Sequence, residues 1–136
     1  MDIPINWLAV VAAGVVNMVV GFLWYGPVFG KIWKGLMGFT DESLKSMKMK
    51  PMTAMVYGFV ASLIMAYVLS HFAFISGAIG VAGAWSLAFW IWLGFLATNT
   101  IGSYLWEGKP FKLFLFNAAA QLVSIFLMAL VLVFWR

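Results

Sequence analysis

Four uninterrupted apolar stretches run through this chain, and no water-soluble fold can hide all of them. They extend from Ile5 to about Phe29, from Met52 to about Ile75, from Val81 to about Leu105, and from Phe111 to Trp135. Each is at least as long as the roughly 20 residues that a helix needs to cross a bilayer core. Within lipid every backbone polar group has to bond inside the protein, which leaves helices or a closed barrel. A barrel would need alternating strands of about ten residues separated by turns. Runs such as Ala9-Val10-Val11-Ala12-Ala13 and Ala118-Ala119-Ala120 do not alternate. The expected fold is therefore all-α and integral to a membrane: one domain over residues 1–136, built as a four-transmembrane-helix bundle.

Charge gives the bundle a direction. The chain is 65% hydrophobic and only 9% charged, and its net charge is +4. Lys31, Lys34, Lys45, Lys48 and Lys50 lie between the first two stretches, and Lys109 and Lys112 flank the third gap. Lysines beside membrane segments answer to topology and anionic headgroups rather than to nucleic acid. The positive-inside bias puts both of these connections in the cytoplasm and the uncharged turn Ser76–Gly80 outside, with both termini outside as well. The start, Met1-Asp2-Ile3-Pro4, has no positive n-region, so the first stretch reads as a retained span rather than a cleaved leader. Tryptophans support these levels. Trp7, Trp85 and Trp135 fall near the outer boundary, and Trp24, Trp33 and Trp106 near the inner one. Trp90 and Trp92 do not fit, because they lie at the middle of the third span.

The long cytoplasmic gap carries its own helix signal. Thr40 is placed to N-cap a short interfacial helix over about 41–48, with Asp41 and Glu42 in its first turn. Phe39 and Leu44 are spaced as a hydrophobic staple. Pro51 then opens the second span, where a missing N–H costs nothing.

Laid over one another, the two halves align. Asn17, Leu23, Trp24 and Gly26 fall on Asn99, Leu105, Trp106 and Gly108, and each following span opens with the same pair, Lys50-Pro51 and Lys109-Pro110. This predicts two tandem helical hairpins, a parallel internal repeat whose axis lies along the membrane normal.

Polar groups inside the spans are the candidate functional residues. Asn17 and Asn99 each precede an inner-belt tryptophan by seven residues, roughly 10 Å at 1.5 Å per residue. Asn117 reaches a similar depth from Pro110, and Gln121 is one turn further on the same face. These four amides form a candidate polar layer, either hydrogen-bonding between helices or lining a constriction. No acidic or basic side chain sits at the midplane, which argues against a proton-coupled carrier. Gly58, Ser62 and Ala66 on the second span, and Gly83, Gly94 and Ala97 on the third, read as close-packing faces. Trp85, Phe89, Trp92, Leu96 and Asn99 share the opposite side of the third span and read as a lipid-facing or oligomer seam. Because Trp90 and Trp92 lie on different faces, one bundle can hardly bury both. If Trp90 packs inward, Trp92 faces lipid or a neighbouring subunit, and a homo-oligomer is expected. Trp24, Trp106, Glu107 and Trp92 are the candidate interface or gate residues. His71 near the outer end, with Tyr67 one turn earlier, reads as an interfacial polar tip.

Enzyme chemistry finds no support in the sequence. There is no cysteine, no His-Glu-x-x-His, no glycine-rich phosphate loop and no nucleophile elbow. No catalytic, cofactor-binding or metal-ligating residue is expected, and no cofactor.

The segment Asn17-Met18-Val19-Val20-Gly21-Phe22-Leu23-Trp24-Tyr25-Gly26-Pro27-Val28-Phe29-Gly30-Lys31 resembles a prokaryotic four-span family known as domain of unknown function seventeen-sixty-one. So does Leu105-Trp106-Glu107-Gly108-Lys109-Pro110, continuing through Leu113 and Leu115 to Asn117. The resemblance covers nearly the whole chain. It implies a small multi-pass protein of a prokaryotic inner membrane with four helices, and it implies no activity. Two functions from different classes stay open: an oligomeric transporter or channel subunit for a small solute or ion, and a non-transporting structural or interaction subunit of a membrane complex.

Overall fold

In a computed structural model of the protein, residues 3–40, 42–43 and 50–136 are described. Among them all regular structure is helical, and four helices are long and apolar enough to cross a membrane. Helix α1 spans Trp7–Val28, α3 Pro51–Ile75, α4 Gly80–Leu105 and α5 Phe111–Phe134. A shorter helix, α2, spans Gly30–Met37 between the first two. The chain is a multi-pass membrane protein. Large apolar side chains cover its outside, from Leu8, Val15 and Phe22 on α1 to Leu115, Val123 and Leu127 on α5. In water that surface would drive aggregation; against acyl chains it costs nothing.

Asn6 starts α1 by capping it: its side-chain oxygen accepts from the backbone N–H of Leu8 at 3.1 Å and of Ala9 at 3.3 Å. The same amide donates to the carbonyl of Trp135 at 3.2 Å, which ties the start of α1 to the end of α5. At the other end Tyr25-Gly26-Pro27 distorts the ladder. The missing N–H of Pro27 leaves a π turn over Trp24–Val28, with Gly26 in non-helical backbone and the N–H of Phe29 reaching back to Trp24 at 3.2 Å. Gly30 follows the π turn. It is buried, a Cβ there would stand 3.0 Å from the carbonyl oxygen of Tyr25, and it opens α2. Gly38, at φ 72°, ends α2 with Phe39 N–H bonded to Lys34 at 2.9 Å, a Schellman closure. Thr40 and Ser43 then exchange bonds, Ser43 N–H to Thr40 Oγ1 at 3.1 Å and Thr40 N–H to Ser43 Oγ at 2.8 Å. That reciprocal pair has the form of a capping box. Residues 41 and 44–49, the body of the interfacial helix expected over 41–48, lie outside the described residues.

Helix α5 is the spine of the bundle. Of its apolar window 44% is buried, against 22%, 22% and 17% for α1, α3 and α4. It packs along α1 and α4 and touches α3, while α3 and α4 barely meet. The core is made of small side chains: Ala9 and Ala13 on α1, Ala66 and Ala73 on α3, Ala84 and Ala88 on α4, and Ala129 on α5, around Ile125, Met128 and Leu132. Such residues let helix backbones approach where lipid supplies no hydrophobic drive to associate. The predicted packing stripe of α3 is where the sequence puts it, with Ser62 and Ala66 buried and Gly58 half-buried.

Candidate functional site

The buried polar chemistry is organised by one face of α5. Asn117, Gln121 and Ser124 stand at i, i+4 and i+7, a single helical stripe, and the neighbouring helices bond to it in turn. Ser124 donates its hydroxyl to Asn17 Oδ1 on α1. The Asn17 amide donates in turn to Ser62 Oγ on α3 at 2.7 Å, and the Ser62 hydroxyl passes on to the carbonyl of Gly58 at 2.9 Å. Three helices thus meet in one chain of hydrogen bonds, with Ser62 and Ser124 both buried. One to two turns toward the lysine-bearing end, Tyr25 donates its hydroxyl to Asn117 Oδ1 at 2.6 Å. On the other flank Thr100 of α4 donates to Gln121 Oε1 at 3.1 Å, and Trp92 Nε1 donates to the carbonyl of Ala118 at 2.8 Å.

Three of the four predicted amides are therefore brought together, but each pairs with a hydroxyl from another helix and none pairs with another amide. Asn99, the fourth, is exposed on the outside of α4, and its side-chain amide has no hydrogen-bond partner among the described residues. The cause is local. A π turn over Trp92–Ala97 inserts one residue into α4. Ala88, Trp92, Ala97 and Thr100 follow one another along the inward face, whereas an unbroken α-helix would carry that face from Trp92 to Asn99. The extra residue rotates Asn99 outward and sets Thr100 against Gln121.

The packing of α4 also corrects the reading of the aromatic stripe. Trp92 and Leu96 pack against the core, and Trp92 is held there by its bond to Ala118, so it is no outer seam. Trp90 is the tryptophan that faces out, 65% exposed. Trp24 is half-buried against Phe29 and Phe116, with ring centroids 4.7 and 5.7 Å away, and its indole N–H is buried without a partner among the described residues. Trp106, its counterpart in the sequence alignment of the two halves, is 87% exposed. Glu107 is exposed and forms no ion pair with Lys109 or Lys112 among the described residues. At the far end His71 Nδ1 lies 2.9 Å from the carbonyl of Tyr67, and the Tyr67 ring stacks on Trp7 at 5.4 Å.

Clefts open on the surface of the described residues, two of them near the ends of the bundle. One, of about 410 Å³, lies at the far end among Ile5, Asn6, Ser70, Phe74, Trp135 and Arg136. The other, of about 400 Å³, lies between α2 and α5 among Trp24, Ile32, Leu36, Lys112, Leu115 and Phe116. None of the four amides lines either. Among the described residues no three of histidine, aspartate and glutamate come together as a metal-binding group.

The model of a family described as protein of unknown function, DUF1761, matches residues 8–133. The chain belongs to the DUF1761 family. The match runs from the first turn of α1 to the last turn of α5, so every hydrogen bond along the polar stripe falls inside the DUF1761 domain. No curated protein and no solved structure matches the chain.

Proposed function

We propose that this DUF1761 protein is a non-transporting packing and interaction subunit of a cell membrane, neither an enzyme nor a solute pathway. The observation that carries the reading is the hydrogen-bonded relay Ser124–Asn17–Ser62–Gly58 at the junction of α1, α3 and α5. A constriction built for solute leaves donors and acceptors free to replace a hydration shell. Here the acceptor oxygens of Asn17, Asn117 and Gln121 are each taken by a hydroxyl from another helix, those of Ser124, Tyr25 and Thr100, and the Asn17 amide N–H is taken by Ser62. Bonds of this kind fix helix register, each contributing about 0.6 kcal/mol and up to roughly 2. The transporter reading would need these amides on a water path. Reconstituted liposomes carrying potassium- and pH-sensitive dyes, with swelling assays in glycerol and urea, should show no flux above empty vesicles. Flux of any of these that scales with protein content would overturn the packing reading.

The two hairpins also read as copies of one unit. Aligned on their Lys-Pro pairs, Ser62 falls on Gln121, so the bonds Asn17–Ser62 and Thr100–Gln121 sit within one residue of the same register in the two halves. The surroundings differ, since α1 is covered by α5 and the matching flank of α4 is bare.

The seven lysines orient the protein with both termini outside a prokaryotic inner membrane. The chain contains no cysteine, so single cysteines report cleanly. An impermeant maleimide applied to intact cells should label Ser76→Cys and spare Ser43→Cys. Ser76 is chosen over Gly77, whose φ of 66° strains any side chain. The reverse labelling pattern would invert the topology.

A further inference from the structure

Asn99 is the exception in this bundle. Each of the other three amides of the spans has its oxygen engaged by a hydroxyl of another helix, and the π turn of α4 aims this one outward with neither its oxygen nor its nitrogen engaged among the described residues. It is not at the water boundary. Its neighbour Thr100 bonds to Gln121 at 3.1 Å, and Gln121 lies eleven residues past Pro110, roughly 16 Å along α5 at 1.5 Å per residue. At that level acyl chains offer no donor or acceptor, and an unpaired amide costs several kcal/mol.

We propose that Asn99 is the centre of a homodimer contact, pairing with Asn99 of a second copy across a two-fold axis along the membrane normal. A primary amide carries both donors and an acceptor, so two of them exchange hydrogen bonds as equals. A two-fold axis along the normal keeps both copies in the same orientation and brings each residue to its own depth. The partner group that Asn99 lacks is then supplied by the chain itself, with no foreign helix required. The flanking surface suits close approach. Phe95, one turn before, is 69% exposed, Gly102 and Ser103 follow one turn after, and Trp106 closes the face at the lysine-bearing end. The small pair lets the two α4 backbones come near, and the aromatic rings at either side shield the amides.

The inference rests on the reading of the chain as a packing protein, but its test is separate. Single cysteines at Phe95, Asn99 and Ile64 are introduced into the full chain and oxidised in native membranes. Ile64 is also exposed, on α3, and serves as the control. Phe95→Cys and Asn99→Cys should form covalent dimers and Ile64→Cys should not. Absence of dimers at both α4 positions, equal yield at Ile64, or an adduct with a different protein would each overturn the proposal. In liposomes, Asn99→Leu should raise the dimer dissociation constant about 3- to 30-fold, and Asn99→Gln should recover part of the loss. Unchanged association of Asn99→Leu would overturn the pairing. Should that variant fail to fold, the cross-link at Phe95→Cys in the otherwise native chain still decides. Solute flux through the reconstituted protein would overturn the packing reading and leave the dimer standing, whereas missing cross-links overturn the dimer alone.

Discussion

Replacing Asn17 with leucine should destabilise the monomeric bundle by about 2 kcal/mol, the loss of two interhelical hydrogen bonds at up to roughly 1 kcal/mol each. The effect is not symmetric between the partners. Ser62 keeps the carbonyl of Gly58 as its acceptor, so it is not stranded. Ser124 loses the oxygen that it donates to, and a buried hydroxyl without an acceptor costs about 1–3 kcal/mol unless it turns back onto its own helix. Asn99→Leu makes the contrast. It changes the same residue type in the aligned position of the other half, yet it should leave monomer stability within about 0.5 kcal/mol, because that side chain bonds to none of the described residues. Titration with SDS in mixed micelles, followed by tryptophan fluorescence, measures both. Equal losses for the two variants would mean that the three-helix junction does not hold the fold. The cycle Asn17→Leu with Ser124→Ala should show coupling of about 0.5 kcal/mol or more, because each residue satisfies the other.

The four spans were legible because a bilayer tolerates so few alternatives: length, hydropathy and lysine position leave little else. The expected stretch 81–105 became Gly80–Leu105, and 111–135 became Phe111–Phe134. The amides were legible as well, since an asparagine in an apolar run has to answer for its hydrogen bonds. Their partners were not. A serine or threonine in a helix can bond to its own preceding turn, as Thr98 does to Gly94 at 2.8 Å and Ser103 to Thr100 at 3.0 Å. Residue type therefore does not say that Ser62, Ser124, Thr100 and Tyr25 reach across to other helices.

Two features escaped sequence reasoning for a different reason. Helix α2 was hidden in a stretch that reads as a lysine-bearing linker framed by glycines. It forms because Trp33 packs edge-on to Tyr25 and Phe39, at 5.6 and 5.3 Å, and because α2 packs on α5. Those are tertiary contacts, and eight residues would not hold a helix alone. The π turn of α4 was hidden because no residue type encodes it. The segment Trp92–Ala97 contains no proline, and only the surrounding register reveals the extra residue. Since that residue decides which of Asn99 and Thr100 faces inward, a strictly α-helical wheel misplaces both, and the sequence alignment of the halves overstates how alike their surroundings are.

Enlarging the small residues of the core should cost more than deleting any hydrogen bond. Ala66 is completely buried on α3 and belongs to the same cluster as Ala9, Val10, Ala13 and Ala129. Helices whose interface is built from alanine and glycine lie too close to admit a branched side chain without moving apart. On the neighbouring helix, a Cβ added at Gly14 would already meet Leu63 at 3.0 Å. Ala66→Leu should therefore lower stability by about 3 kcal/mol, the upper end of the range for overpacking. It also strains the junction directly, because Ala66 lies one turn beyond Ser62 and any outward shift of α3 lengthens the bond between Asn17 and Ser62. Ile64→Leu, two residues away on the exposed side of α3, should change stability by less than about 0.5 kcal/mol. The same SDS titration distinguishes them. If Ala66→Leu is tolerated as well as Ile64→Leu, α1 and α3 are not held in close contact, and the register that brings Asn17 to Ser62 has some other origin.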